Sequence, residues 1–145
     1  MTSEEIRNQS ALIAEHFSRD GYVSLPGFFD PAEVAELREN MNRFVREVVP
    51  TMPETEVYYD DIEDTSTLKQ LQMMGEYDPF FESLLEPDSR LSLLSAFCLG
   101  ESVRPVNLQY FNKSPTASTP TPPHQDGFYF HLKPNHAVTM WIALE

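Results

Sequence analysis

Most of the first hundred residues of this chain have helix-forming patterns, and the longest strand-forming patterns follow them. The clearest helix begins at Asp30, where a capping residue, a proline suited to the first turn and Glu33 precede an apolar stripe that runs to Val48. Further helices are predicted over 2–18, with Thr2 and Glu5 as a capping box, after Asp78, and from Pro87 to Gly100. Helices that precede strands in this way predict an α+β fold.

The strand patterns are rich in β-branched and aromatic residues. They lie at 22–25, 57–59, 103–112 and 137–144, while 68–73 fits a strand or a helix. We expect one domain over 1–145, with a mainly helical part over 1–100 and the strands over 101–145. The last pattern ends with no turn or cap, which would leave an unpaired hydrophobic edge. We therefore expect an incomplete domain, or two chains that associate through their open edges.

Composition excludes several classes of partner. The formal net charge of −13 would repel a phosphate backbone and anionic lipid surfaces, so neither nucleic acid nor a membrane is an expected partner. One cysteine, Cys98, cannot form an internal disulfide, and its apolar neighbours favour a buried thiol. No apolar run approaches eighteen residues and no secretory signal is present, which predicts a cytoplasmic location.

A histidine and a carboxylate lie two residues apart in the segment Pro122-Pro123-His124-Gln125-Asp126-Gly127. In an extended strand, side chains at i and i+2 point to the same face, so His124 and Asp126 could bind one ion. They would form two thirds of the 2-His-1-carboxylate triad that holds non-haem Fe(II). A chance occurrence of the pair is the alternative. The acidic run over 60–64 is interpreted as a solvated loop, because nothing fixes its geometry.

Four segments together resemble the phytanoyl-CoA dioxygenase family of Fe(II)- and 2-oxoglutarate-dependent oxygenases. They are 17–30, the strand pattern 107–113, Pro123-His124-Gln125-Asp126-Gly127, and Thr139-Met140-Trp141-Ile142-Ala143-Leu144-Glu145. The resemblance implies helices packed on part of a double-stranded β-helix, a jelly-roll or cupin-like barrel. It also implies that His124 and Asp126 bind Fe(II), and that Gln109, Trp141 and Lys69 bind 2-oxoglutarate. A core aromatic and a solvent-facing lysine are the alternatives for Trp141 and Lys69.

The implied reaction is hydroxylation of a small organic substrate by O2, with release of succinate and CO2. Phe128, Tyr129 and Phe130 could form walls of the substrate pocket, with core packing as the alternative. The family's second iron-binding histidine and the arginine that binds 2-oxoglutarate have no counterpart in these 145 residues, and His16, His131 and His136 are poor substitutes. A catalytically inactive binding module is therefore the alternative function, and we expect no succinate formation by these 145 residues alone.

Overall fold

The computed structural model describes residues 1–113 and 121–144. The described residues form seven α-helices: α1 (Ser3–Asn8), α2 (Ser10–Asp20), α3 (Pro31–Glu47), α4 (Met74–Tyr77), α5 (Pro79–Ser83), α6 (Arg90–Leu99) and α7 (Gly127–Phe130). They also form three strands: β1 (Val57–Tyr59), β2 (Leu68–Leu71) and β3 (Tyr110–Phe111). Helices and a small sheet make an α+β chain, which confirms the predicted fold class at that level.

The chain divides into two compact units. The first contains Met1–Arg38, Glu86–Pro105 and the chain from Pro123 onward, and the second contains Glu39–Leu85 and the described residues between Val106 and Pro122. The single-domain assignment stays a prediction.

The first unit is built around a small apolar core, in which α1 and α2 pack against α6. Ile6, Ile13, Phe28 and Leu94 are buried at its centre. Arg90 closes one side of this core, because its guanidinium pairs with the carboxylate of Glu33 and lies 5.4 Å from the ring centroid of Phe28. Burial of large aliphatic and aromatic side chains is the main source of stability for such a unit.

The second unit contains an antiparallel sheet with the strand order β1-β2-β3. Its register pairs Val57 with Leu71 and Gln70 with Phe111. Leu71 is fully buried, and Phe44 of α3 packs edge-to-face on Phe81, with 5.2 Å between ring centroids. This sheet has only β1 and β3 as its edges, and self-association through an open edge stays a prediction.

The predicted helix ends are confirmed where a specific cap exists. Thr2 and Glu5 form the predicted capping box. Asp30 Oδ1 accepts hydrogen bonds from the backbone N–H groups of Ala32 and Glu33 at 2.8 and 2.9 Å, so α3 begins where the sequence indicated. Gly100 ends α6 at φ 73°, a left-handed conformation that glycine adopts without steric cost. The apolar stripe of α3 contributes buried residues to the fold, as predicted.

Several predicted elements are wrong. The strand at 22–25 does not form, and 103–112 is strand only at Tyr110–Phe111. The helix over 2–18 does form, as α1 and α2 with a break at Gln9. Residues 137–144 lie in irregular backbone, so the described residues do not build a double-stranded β-helix. Sequence preference for strands reports how well a residue fits a half-buried pleated surface, and a strand forms only where a neighbour accepts its hydrogen bonds. Residues 114–120 and Glu145 lie outside the described residues.

Candidate metal and substrate site

His124 and Asp126 lie side by side in the first unit. His124 Nε2 is 3.3 Å from Asp126 Oδ1, and their side chains are 39% and 43% exposed. The segment is not the predicted strand. Asp126 has helical dihedral angles at the start of α7, and Phe128 N–H donates to Gln125 O at 3.0 Å. A turn, and not an extended segment, therefore brings the two side chains together.

The separation of these two atoms suits a shared metal ion. Protein ligands bind first-row divalent metals at about 2.0–2.2 Å, so two ligands at a right angle lie about 3 Å apart. The imidazole nitrogen and the carboxylate oxygen are donors that Fe(II) accepts. Within residues 1–113 and 121–144, no group of three or more His, Cys, Asp or Glu side chains could hold a metal ion. The 3.3 Å spacing of His124 Nε2 and Asp126 Oδ1 therefore fits two of the positions around one metal ion.

A second His–carboxylate pair has a different geometry. His136 Nδ1 lies 2.7 Å from Glu101 Oε1, and both side chains are about half exposed. At 2.7 Å the two atoms are in direct hydrogen-bond contact, which leaves less room for an ion between them than the 3.3 Å spacing at His124. This pair provides an internal comparison for the predicted site.

The other oxygen of Asp126 is held by a residue that sequence reasoning did not single out. Thr139 Oγ1 donates a hydrogen bond to Asp126 Oδ2 at 2.7 Å. Thirteen positions separate the two residues, and no local pattern in the sequence signals this contact. The carboxylate therefore directs one oxygen toward His124 and the other toward Thr139.

A cavity of about 510 Å³ opens beside Asp126. Its volume falls in the range of small-molecule sites. Besides Gly21 and Gly127, its lining consists of Gln125, Asp126, Phe130, Asn135, Ala137 and Thr139. Gly127 lies close to the Asn135 side chain, since a Cβ at this position would lie 2.2 Å from the Asn135 amide unless that exposed side chain turned away. The lining offers two side-chain amides, a hydroxyl and one carboxylate.

The three predicted pocket aromatics occupy different places. Phe130 lines the cavity, whereas Phe128 and Tyr129 are exposed. The Tyr129 ring packs edge-to-face on both neighbours, 5.9 Å from His124 and 5.3 Å from Phe128, measured between ring centroids. Tyr129 therefore packs beside the predicted metal ligand, and Phe130 is the aromatic that a molecule in the cavity would contact.

The predicted 2-oxoglutarate residues lie in both units. Lys69 and Gln109 belong to the second unit, and Trp141, 77% exposed, belongs to the first. Lys69 Nζ forms an ion pair with Asp60 Oδ1 at 2.8 Å, and Gln109 Oε1 accepts a hydrogen bond from Gln70 at 2.9 Å. The assignment of the three residues to 2-oxoglutarate stays a prediction.

Asp60 corrects the interpretation of the acidic run as a solvated loop. Its side chain is only 5% exposed, because Lys69 neutralises it in the interior of the second unit. Asp64 does behave as an exposed capping residue, since its side chain accepts a hydrogen bond from the Ser66 N–H. Hydrogen bonds from the Ser66 side chain and then from its N–H hold the pKa of Asp64 below its usual value. A buried carboxylate such as that of Asp60 needs a cationic partner, which Lys69 provides.

Comparison with known proteins agrees with the resemblance seen in the sequence. The family described as phytanoyl-CoA dioxygenase matches residues 17–145. A probable alpha-ketoglutarate-dependent hypophosphite dioxygenase of Stutzerimonas stutzeri is 26% identical over 128 residues. That alignment covers 86% of this chain and 44% of the relative, so the chain spans less than half of the relative's length. No solved structure matches the chain significantly.

Proposed function

Because the chain belongs to the phytanoyl-CoA dioxygenase family, we propose that its His124–Asp126 pair binds Fe(II) in a 2-oxoglutarate-dependent dioxygenase that hydroxylates a small organic substrate. The observation that carries this proposal is the 3.3 Å separation of His124 Nε2 and Asp126 Oδ1. Two donors at this spacing, from neighbouring positions and partly exposed, are available to one ion. The relative's name, which includes alpha-ketoglutarate dependence, supports 2-oxoglutarate as the co-substrate.

Bound Fe(II) would supply the open coordination positions at which 2-oxoglutarate and O2 react, with succinate and CO2 as products. His124 and Asp126 would fix the orientation of those positions. The family resemblance names Lys69, Gln109 and Trp141 for 2-oxoglutarate, and an ammonium, an amide and an indole N–H are suitable donors for carboxylates. Lys69 is paired with the Asp60 carboxylate in this structure.

The cavity beside Asp126 indicates the class of substrate. Its volume of about 510 Å³ suits a small molecule, and the described residues that line it include neither lysine nor arginine. The phosphates of a coenzyme A thioester would find no counter-charge among these residues. Gln125, Asn135 and Thr139 instead offer hydrogen bonds, so we propose a small polar substrate that carries little negative charge.

A catalytically inactive binding module is the second candidate. It is favoured by one observation, namely that the described residues contain no group of three or more His, Cys, Asp or Glu side chains that could hold a metal ion. In that function the cavity would hold a small polar molecule without oxidising it. Metal binding at the His124–Asp126 pair distinguishes the two functions.

The test uses Mn(II) as a paramagnetic substitute for Fe(II) and follows the four histidine ring signals by proton NMR. We expect Mn(II) to broaden the His124 signal at lower concentration than the His136 signal, because the 3.3 Å spacing of His124 and Asp126 suits two ligands of one ion better than the 2.7 Å spacing of His136 and Glu101. His124→Gln should remove the broadened signal, and Asp126→Asn should raise the Mn(II) concentration needed at least tenfold. Equal broadening of His124 and His136, or an unchanged response in Asp126→Asn, would contradict the proposal.

A further inference from the structure

We propose that Thr139 is a positioning residue that orients the Asp126 carboxylate for metal binding. This inference rests on the proposed function, because it assumes that Asp126 is a ligand. The geometry that carries it is the 2.7 Å hydrogen bond from Thr139 Oγ1 to Asp126 Oδ2. A hydroxyl that donates to a carboxylate at this distance forms a charge-assisted bond, which is stronger than a bond between neutral groups.

The hydrogen bond from Thr139 gives the two oxygens of the Asp126 carboxylate different partners. Oδ2 accepts the threonine proton, and Oδ1 faces His124 Nε2 at 3.3 Å. An ion that contacts His124 would therefore meet Oδ1 first, and Asp126 would bind through one oxygen. Such outer contacts commonly change metal affinity by about 10- to 100-fold when they are removed.

Thr139 suits this task by its side chain and its location. Branching at Cβ restricts the rotation of threonine, so the hydroxyl loses little freedom when it bonds. Both Thr139 and Asp126 line the cavity. Thr139 is exposed and lies in irregular backbone, whereas the next residue, Met140, packs on the apolar core of the unit. A contact at such a position serves the carboxylate more than the packing of the unit.

The variants separate the hydroxyl from the volume of the side chain. Thr139→Val keeps the shape and removes the donor, Thr139→Ser keeps the donor, and Thr139→Ala repeats the loss of the donor without the bulk. We expect the Mn(II) concentration that half-broadens the His124 signal to rise tenfold or more in Thr139→Val and Thr139→Ala. In Thr139→Ser it should stay within about threefold of the parent protein.

The ring and methyl signals of the apolar core around Ile6 and Ile13 report whether each variant keeps its fold, and a structural role alone would not separate serine from valine. If Thr139→Val and Thr139→Ala bind Mn(II) like the parent while Asp126→Asn does not, the positioning role is refuted and the metal site stands. If Mn(II) fails to broaden His124 even in the parent protein, the metal site itself is refuted.

Discussion

Replacement of Asp78 should destabilise the second unit, and two variants separate the reasons. Asp78 is only 5% exposed, and its Oδ1 and Oδ2 accept hydrogen bonds from Arg43 Nη2 and Nη1 at 2.9 and 2.8 Å. Asp78 also begins α5, because its Oδ1 accepts the backbone N–H of Phe80 at 3.0 Å. One carboxylate therefore joins α3 to the start of α5.

The contacts give the size of the effect. Asp78→Asn keeps an oxygen that can cap α5 but removes the charge that faces Arg43, and hydrogen bonds to charged groups contribute about 1.5–3 kcal/mol. Asp78→Ala removes the cap as well, which costs about 1 kcal/mol more. We expect Asp78→Asn to lower the free energy of unfolding by about 2 kcal/mol and Asp78→Ala by about 3 kcal/mol.

Equilibrium urea unfolding followed by circular dichroism measures both losses. The control is Asp20→Asn, because Arg19 also contacts Asp20 through two hydrogen bonds, but that pair is exposed to solvent. We expect no measurable change there, since exposed ion pairs contribute little. A free energy of unfolding for Asp78→Asn within about 0.5 kcal/mol of the parent, on the order of the scatter for surface substitutions, would show that the Arg43–Asp78 pair does not stabilise the second unit.

Three further predictions concern the pH dependence of stability, the substitution of Gly127 and the buried Lys69–Asp60 ion pair. The hydrogen bonds from Arg43 lower the pKa of Asp78 in the folded protein. The stabilisation by the Asp78 carboxylate is therefore complete above the unfolded-state pKa of about 3.9 and is lost as the pH falls through the lower folded-state pKa. The difference in unfolding free energy between the parent and Asp78→Asn should stay constant from pH 7 to about pH 4 and shrink below it. Gly127→Ala should change the free energy of unfolding in urea by no more than about 0.5 kcal/mol, because its Cβ would meet the end of the exposed Asn135 side chain, which can turn away, whereas a loss of about 2 kcal/mol or more would show that Asn135 is held in place. Lys69→Met should lower the free energy of unfolding by about 3 kcal/mol, because it leaves Asp60 buried without its cation. Asp60→Asn combined with Lys69→Met should cost less than Lys69→Met alone, and an equal or larger cost would contradict a contribution of the ion pair.

The parts of the fold that the sequence could predict are those fixed by neighbouring residues. Asp30, Thr2 and Gly100 act within one turn of their own helix, so the sequence contains all the information that their caps need. The strands depend on partners that are distant in sequence. The predicted strand covered residues 103–112, but only Tyr110–Phe111 pair with β2.

The candidate site shows the same division between local and distant information. His124 and Asp126 were predicted to meet because they are two residues apart, and they do meet, although through a turn and not a strand. Thr139 could not be predicted, because its contact with Asp126 depends on how the chain returns to the cavity after α7. The burial of Asp60 was missed for a related reason, since its partner Lys69 lies nine positions away on β2.

The central position of β2 has a consequence for how the second unit opens. Its residues pair with β1 on one side and with β3 on the other, and each amide points to one of these strands, so all of its amides reach solvent only after both neighbours have separated. Deuterium should therefore enter β2 last, and Leu71, with no exposed surface, is the amide whose exchange rate would report the complete opening of this unit.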